Sequence, residues 1–124
     1  WVAEFHLQAL DLHGNPGLGR NVTASKWSWP KFLRKLNLAA CGLASVSQEL
    51  VQPGQLEHLR LLDLSDNPLL DALPEWVASL SELQTLDLHG NPALWQNTAA
   101  WTHRLPAQVR AINLSECGLN SVPQ

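Results

Sequence analysis

Three polar side chains of the types used by hydrolases stand at related positions in this chain: Ser65, Asp87 and His89. Ser65 directly follows Leu64, and His89 directly follows Leu88. If the segments that carry them form neighbouring strands, Ser65 and His89 would lie about 4.8 Å apart, with Asp87 two residues back on the same strand face. The trio could then supply a nucleophile, a general base and an orienting acid.

The trio belongs to a nine-residue phrase that occurs five times. Residues 83–91 read LQTLDLHGN, and the same spacing recurs at residues 7–15, 33–41, 59–67 and 109–117, with starts 24 or 26 residues apart. In each phrase the apolar residues at positions 4 and 6 alternate with polar ones, which indicates a strand with one buried face. A single repeat cannot bury that face alone, so successive repeats are expected to stack.

The pattern L-x-x-L-x-L-x-x-N, at this repeat length, resembles the leucine-rich repeat family, and the resemblance covers nearly the whole chain. It implies an α/β fold: a right-handed β/α solenoid, or horseshoe, with short parallel strands on the concave face and short helices or turns on the convex face. Residues 7–48 also match residues 83–124, with 22 of 42 pairs identical. We expect residues 1–124 to be a single leucine-rich repeat domain and a fragment of a longer array.

The resemblance favours a non-catalytic interpretation of the trio. Members of this family carry Ser, His and Asp at solvent-facing positions of their strands, the expected surface is open, and no oxyanion donor can be assigned. His13 and His89 would lie about 14 Å apart, too far to share a zinc ion with ligands at about 2 Å. We therefore predict no enzyme activity, no catalytic residues, no cofactor and no metal site.

The segments between the phrases predict short helices or turns behind the sheet. Pro74 at the start and apolar residues at Trp76 and Val77 predict a helix over residues 73–80. Residues 21–32 predict an irregular helical turn that ends before Pro30.

Tryptophans cluster in these crossing segments, namely Trp27, Trp29, Trp76, Trp95 and Trp101. We expect most of them to fill space behind the sheet. Trp95 is the candidate for an exposed convex anchor to a partner, because its counterpart at an offset of 76 residues is Gly19.

The last position of each phrase carries Asn15, Cys41, Asn67, Asn91 or Cys117. The resemblance implies that these side chains turn inward and form a ladder of hydrogen bonds to backbone groups of the neighbouring loop, with cysteine as a small apolar substitute. The two cysteines would lie about 14 Å apart, beyond the reach of a disulfide. Free thiols favour a reducing compartment, whereas the glycosylation sequons at Asn21 and Asn113 point the other way. Asn113 lies on a predicted strand, so we expect only Asn21 to be available.

Composition limits the possible partners. The net charge is −3, and Lys and Arg are dispersed along the sequence, which argues against nucleic acid and anionic membrane surfaces. No apolar run reaches the roughly 18 residues of a membrane span, so no membrane insertion is expected.

We predict a protein-protein interaction module, a scaffold or docking surface within a larger assembly. The alternative is a ligand-sensing part of a receptor ectodomain. An intracellular or organellar location is favoured over an extracellular one.

The predicted binding surface is the open, concave face of the sheet. Its members are Asp11, Lys35, Asn37, Leu61, Asp63, Thr85, Asp87, His89 and Asn113. Asp63 and Asp87 would lie about 4.8 Å apart and could accept a basic or amide-rich segment of a partner. The alternative is that these carboxylates are simply solvated. At the two ends of the sheet, near Leu10 and Ile112, we expect flanking repeats or a neighbouring chain to cover the strand edges.

Overall fold

The computed structural model describes residues 6–19, 28–44, 50–94, 96 and 105–118. The elements of these residues are β1 (Ala9–Asp11), β2 (Lys35–Asn37), β3 (Leu61–Asp63), α1 (Glu75–Ala78), β4 (Thr85–Asp87) and β5 (Ala111–Asn113). Each strand begins two residues after the first apolar residue of its phrase, as the repeat spacing predicts.

The five strands form one parallel sheet in the order β1-β2-β3-β4-β5. The register aligns the central apolar residue of every strand, namely Leu10, Leu36, Leu62, Leu86 and Ile112. Hydrogen bonds between repeats continue beyond the strands: the N–H of Leu38 donates to the carbonyl of Asp63 at 2.8 Å, and that of Ala40 to Ser65 at 3.0 Å. The predicted solenoid of stacked parallel strands is confirmed.

The central apolar residues of the strands are most completely buried in the middle repeats. Leu36, Leu62 and Leu86 are fully buried, whereas Leu10 is partly buried and Ile112 is 37% exposed. The difference arises because each repeat of a solenoid is buried by the repeats on its two sides. In the described residues, β1 and β5 each have one neighbouring strand to cover their apolar face.

Helix α1 lies where a helix was predicted but is shorter than residues 73–80. It begins after Pro74, whose missing N–H suits the start of a helix, and it buries Trp76 and Val77 against the sheet. At its end the N–H groups of Ser79 and Leu80 donate to carbonyls three residues back, at 3.2 and 3.1 Å, and the Ser79 hydroxyl also donates to the carbonyl of Trp76 at 2.7 Å. None of the helices in the described residues has the length and apolar character to cross a membrane.

Of the remaining predictions for the crossing segments, several lie outside the described residues: most of the helical turn at 21–32, Asn21, Trp27, Trp95 and Trp101. Trp29 is described and buried, and its Nε1 donates to the carbonyl of Leu50 at 3.0 Å. This residue fills space behind the sheet and joins two repeats.

Candidate functional site on the open face of the sheet

Two rows of side chains run across the sheet on the face opposite the core. The first row consists of Asp11, Asn37, Asp63, Asp87 and Asn113, and the second of Ala9, Lys35, Leu61, Thr85 and Ala111. The residues predicted to bind a partner belong to these rows, together with His89 at the exit of β4. Members on β3 and β4 are half-buried, and those on β1 and β5 are exposed.

Every member of the first row makes the same local hydrogen bond. Its side-chain Oδ1 accepts the backbone N–H of the residue two positions later, at 2.9 to 3.0 Å in all five repeats. Only one oxygen is required, so Asp and Asn serve equally well. Sequence reasoning missed this turn, although a strict Asp-or-Asn choice at one position of each repeat is the pattern that such turns produce.

The local bond leaves the second carboxylate oxygen of Asp63 and Asp87 for other contacts. Among the described residues, no further hydrogen bond or ion pair involves either carboxylate. The two side chains are directly paired in register, so two negative charges lie at adjacent positions on a rigid sheet. This pair is the most concentrated charge of the first row.

The acidic character continues at the strand exits. His89 Nε2 lies 3.1 Å from Glu116 Oε2, and the histidine is partly buried while the glutamate is largely exposed. Asp66 occupies the exit of β3 and is exposed. His89 is thus flanked by carboxylates on the neighbouring repeats.

The hydrogen bonds of Ser65, Asp87 and His89 do not join them as a triad. The Asp87 carboxylate accepts the backbone N–H of His89, not a ring nitrogen, and the His89 ring contacts Glu116. Ser65 was expected to face solvent, but it is 5% exposed. That expectation was wrong because the next repeat packs over the strand exit, where the N–H of Asp66 donates to the carbonyl of His89.

Beneath the strand exits, the asparagines at the last phrase position tie neighbouring repeats together. Asn67 Oδ1 accepts the N–H groups of Cys41 and Leu43 at 3.1 and 3.0 Å, and its Nδ2 donates to the carbonyls of Leu38 and Leu64 at 3.2 and 2.8 Å. Asn91 Oδ1 accepts the N–H of Asn67 at 2.8 Å, and its Nδ2 donates to Leu64 and Leu88. Both residues are fully buried.

The cysteines reproduce half of this arrangement. The thiols of Cys41 and Cys117 donate to the carbonyls of Leu12 and Leu88, each at 3.1 Å, but sulfur is a weaker acceptor than the amide oxygen of asparagine. Both thiols are free and buried, and burial raises the pKa of the Cys41 thiol above its ordinary value. They are therefore hydrogen-bond donors as well as apolar fillers.

Asn15 shows the part of the ladder that lies within one repeat. It is exposed, and its Nδ2 donates within its own repeat, to the carbonyls of Leu12 and His13. The described residues contain no repeat on that side of β1, so the expected contact of Asn15 with a neighbouring loop stays a prediction.

Comparisons with known proteins agree with this architecture. A family profile described as leucine rich repeat matches residues 32–92, about half of the chain. Receptor like protein 22 of Arabidopsis thaliana is 36% identical over 85 residues, which cover 68% of this chain and 10% of that protein. Receptor like protein 27 of the same plant is 34% identical over 85 residues, with the same coverage of each chain. The chain thus spans about a tenth of the length of these curated relatives. No solved structure gives a significant match.

Proposed function

The chain belongs to the leucine-rich repeat family, and from that premise we propose that it is a non-catalytic protein-interaction module that binds its partner on the open face of the sheet. One observation carries the proposal: the register of five parallel strands aligns outward-facing side chains in straight rows. Solenoids present extended binding surfaces in this way.

Preorganisation supports the choice of this face. The Asp63 and Asp87 side chains are each held by a backbone N–H, at 2.9 and 3.0 Å, so little side-chain entropy remains to be lost when a partner binds. Their paired charges favour a basic or amide-rich segment. Leu61, Thr85 and His89 border the two carboxylates and would line the contact.

The test replaces both carboxylates without disturbing the fold. In the variant D63N/D87N each new Asn keeps the Oδ1 that closes the local turn, as Asn37 and Asn113 already do. The control is E57Q/D71N, which removes two exposed charges outside both rows. Capture of protein partners by the immobilised chain is then quantified by mass spectrometry at low and moderate salt.

We expect D63N/D87N to reduce capture of a specific partner on the order of tenfold at low salt, and the control to change it less than about twofold. The reduction should shrink at moderate salt, because screening weakens exposed charge pairs. Equal capture by all three proteins at both salt concentrations would place binding elsewhere on the molecule.

A second candidate, part of a receptor ectodomain, is favoured by the names of the two relatives, both receptor-like proteins. These names stand against the intracellular or organellar location that the free thiols suggested. The thiols are also weaker evidence than the sequence implied. Both are buried and bonded to carbonyl groups, which protects a thiol from oxidation in either compartment.

Protease treatment of intact cells that express the full-length protein separates the two candidates. An ectodomain would be cleaved from outside the cell, and an intracellular scaffold would be cleaved only after the membrane is permeabilised. If the protein is protected from the protease until the membrane is permeabilised, the receptor candidate is excluded and the intracellular scaffold is supported.

A further inference from the structure

A second feature of the open face lies at the N-terminal ends of β1, β2 and β3. Here a cavity of about 390 Å³ is lined by Gln8, Ala9, Arg34, Lys35, Arg60 and Leu61. All three charged lining residues are cations. The basic residues looked dispersed in the sequence because Arg34 and Arg60 are 26 residues apart, but one turn of the solenoid brings them together.

The backbone fixes the two arginines side by side. The N–H of Arg60 donates to the carbonyl of Arg34 at 2.8 Å, and the register that pairs Lys35 with Leu61 places the arginines at equivalent positions on strands about 4.8 Å apart. All three cations are exposed, and among the described residues none has an ion-pair partner. Like charges at this spacing repel each other, and an anion bound between them would attract each of the cations.

We propose that this cavity binds a carboxylate side chain of the protein partner, an inference that rests on the proposed function of the open face. Guanidinium groups bind carboxylates through paired, charge-assisted hydrogen bonds, and two neighbouring arginines with a lysine offer several such donors. The occupant is thus an acidic residue within the segment whose basic or amide residue meets Asp63 and Asp87.

The two charged regions set the spacing and direction of that segment. Lys35 and Asp87 lie two strands and two residues apart, which is about 12 Å between Cα atoms. An extended segment covers this distance in four residues, which also returns its side chains to the same face. The partner would therefore carry an acidic and a basic residue four positions apart, and the opposite charges would fix its direction on the sheet.

Three single substitutions test the cavity, and each makes the same change from arginine to glutamine. Arg34, Arg60 and Arg110 occupy the same phrase position, which Gln8 and Gln84 fill in the other two repeats, so glutamine suits the fold. R34Q and R60Q each remove one cavity charge, and R110Q removes the same charge from a repeat outside the cavity. The probe is tetraglutamate with both ends capped, titrated into each protein at low salt and followed by NMR.

We expect R34Q and R60Q to weaken binding of the probe on the order of tenfold, and R110Q less than about twofold. The melting temperatures of R34Q and R60Q should equal or exceed that of the native chain, because each substitution removes a repulsion. Failure of the native chain to bind the probe, or an equal loss in R110Q, would overturn the proposal. Pyrophosphate that binds more tightly than the probe would overturn the assignment to a carboxylate.

The variant D63N/D87N keeps this result separate from the proposed function. It should bind tetraglutamate as the native chain does or more tightly, because it removes negative charge from the same face. If R34Q and R60Q no longer bind the probe while D63N/D87N still binds its partner, the carboxylate site in the cavity is supported and the proposed contact at Asp63 and Asp87 is overturned. If D63N/D87N no longer binds its partner while R34Q and R60Q bind the probe as the native chain does, the carboxylate site in the cavity is overturned and the proposed contact at Asp63 and Asp87 is supported.

Discussion

Asn67 shows how one side chain can hold three repeats of this solenoid together. Its amide oxygen accepts two N–H groups of the preceding repeat, and its amide nitrogen donates to carbonyls of the preceding repeat and of its own. Its backbone N–H donates to Asn91 in the following repeat. All these groups are buried, so the hydrogen bonds beneath the strand exits depend on a residue that lies outside the strands.

Replacing Asn67 by alanine should therefore cost far more than the loss of one hydrogen bond. The N–H groups of Cys41 and Leu43 would be left buried without acceptors, at about 1 to 3 kcal/mol each. We expect N67A to lower the free energy of unfolding by at least about 3 kcal/mol, measured by urea denaturation followed by tryptophan fluorescence. N15A is the control, and should change it by no more than about 0.5 kcal/mol because Asn15 is exposed. Similar small effects in both variants would show that water satisfies the groups that Asn67 binds.

At the scale of the element, each strand ends in a tight turn with left-handed backbone. The residue before the last phrase position has a φ between 53° and 80° in all five repeats, although only two of the five are glycine. The repeats that end in cysteine add a second left-handed residue, Gly42 or Gly118, each with φ 68°. These turns carry the chain from the sheet toward the crossing segment.

Gly42 and Gly118 form a matched pair for measuring how closely two turns pack. A Cβ at Gly42 would collide with the backbone carbonyl oxygen of Pro16, whereas a Cβ at Gly118 would meet nothing within 4 Å. Both alanine variants should pay the left-handed strain of about 1 to 2 kcal/mol. G42A should lose a further 1 to 3 kcal/mol, roughly, from overpacking against backbone that cannot move aside. If G42A and G118A have equal free energies of unfolding in urea, the backbone around Pro16 moves aside from the added Cβ at little cost.

The elements also show what the sequence could and could not predict. Strand positions followed directly from the spacing of residues such as Leu36 and Leu62, since a period of two fixes both the face and the register. The length of α1 could not be predicted, because its last backbone N–H groups bond to carbonyls three residues back, a change that apolar periodicity does not encode. The burial of Ser65 and the cavity around Arg34 and Arg60 arise between repeats, so no single repeat reveals them.

At the scale of the whole molecule, stacking turns a short repeated phrase into an ordered surface. The open face carries cations around the cavity of β1 to β3 and carboxylates toward the C-terminal ends of the strands, so its charge is polarised along the strand direction. Leu10 and Ile112, the outermost apolar residues of the sheet, keep part of their surface exposed. In the part of the chain that the structure describes, no strand pairs with the outer edge of β1 or β5, and the covering of those edges by flanking repeats or a neighbouring chain remains a prediction.

Site-specific photocrosslinking tests the central claim, that the open face is where the partner binds. A photoreactive benzoylphenylalanine is placed at position 85, in the second row of the open face, or at position 78, an exposed residue of α1 on the opposite side of the molecule. Irradiation in the presence of the captured partner should give a covalent adduct from position 85 and little or none from position 78. The reverse pattern would show that the partner binds behind the sheet and would contradict the proposed function.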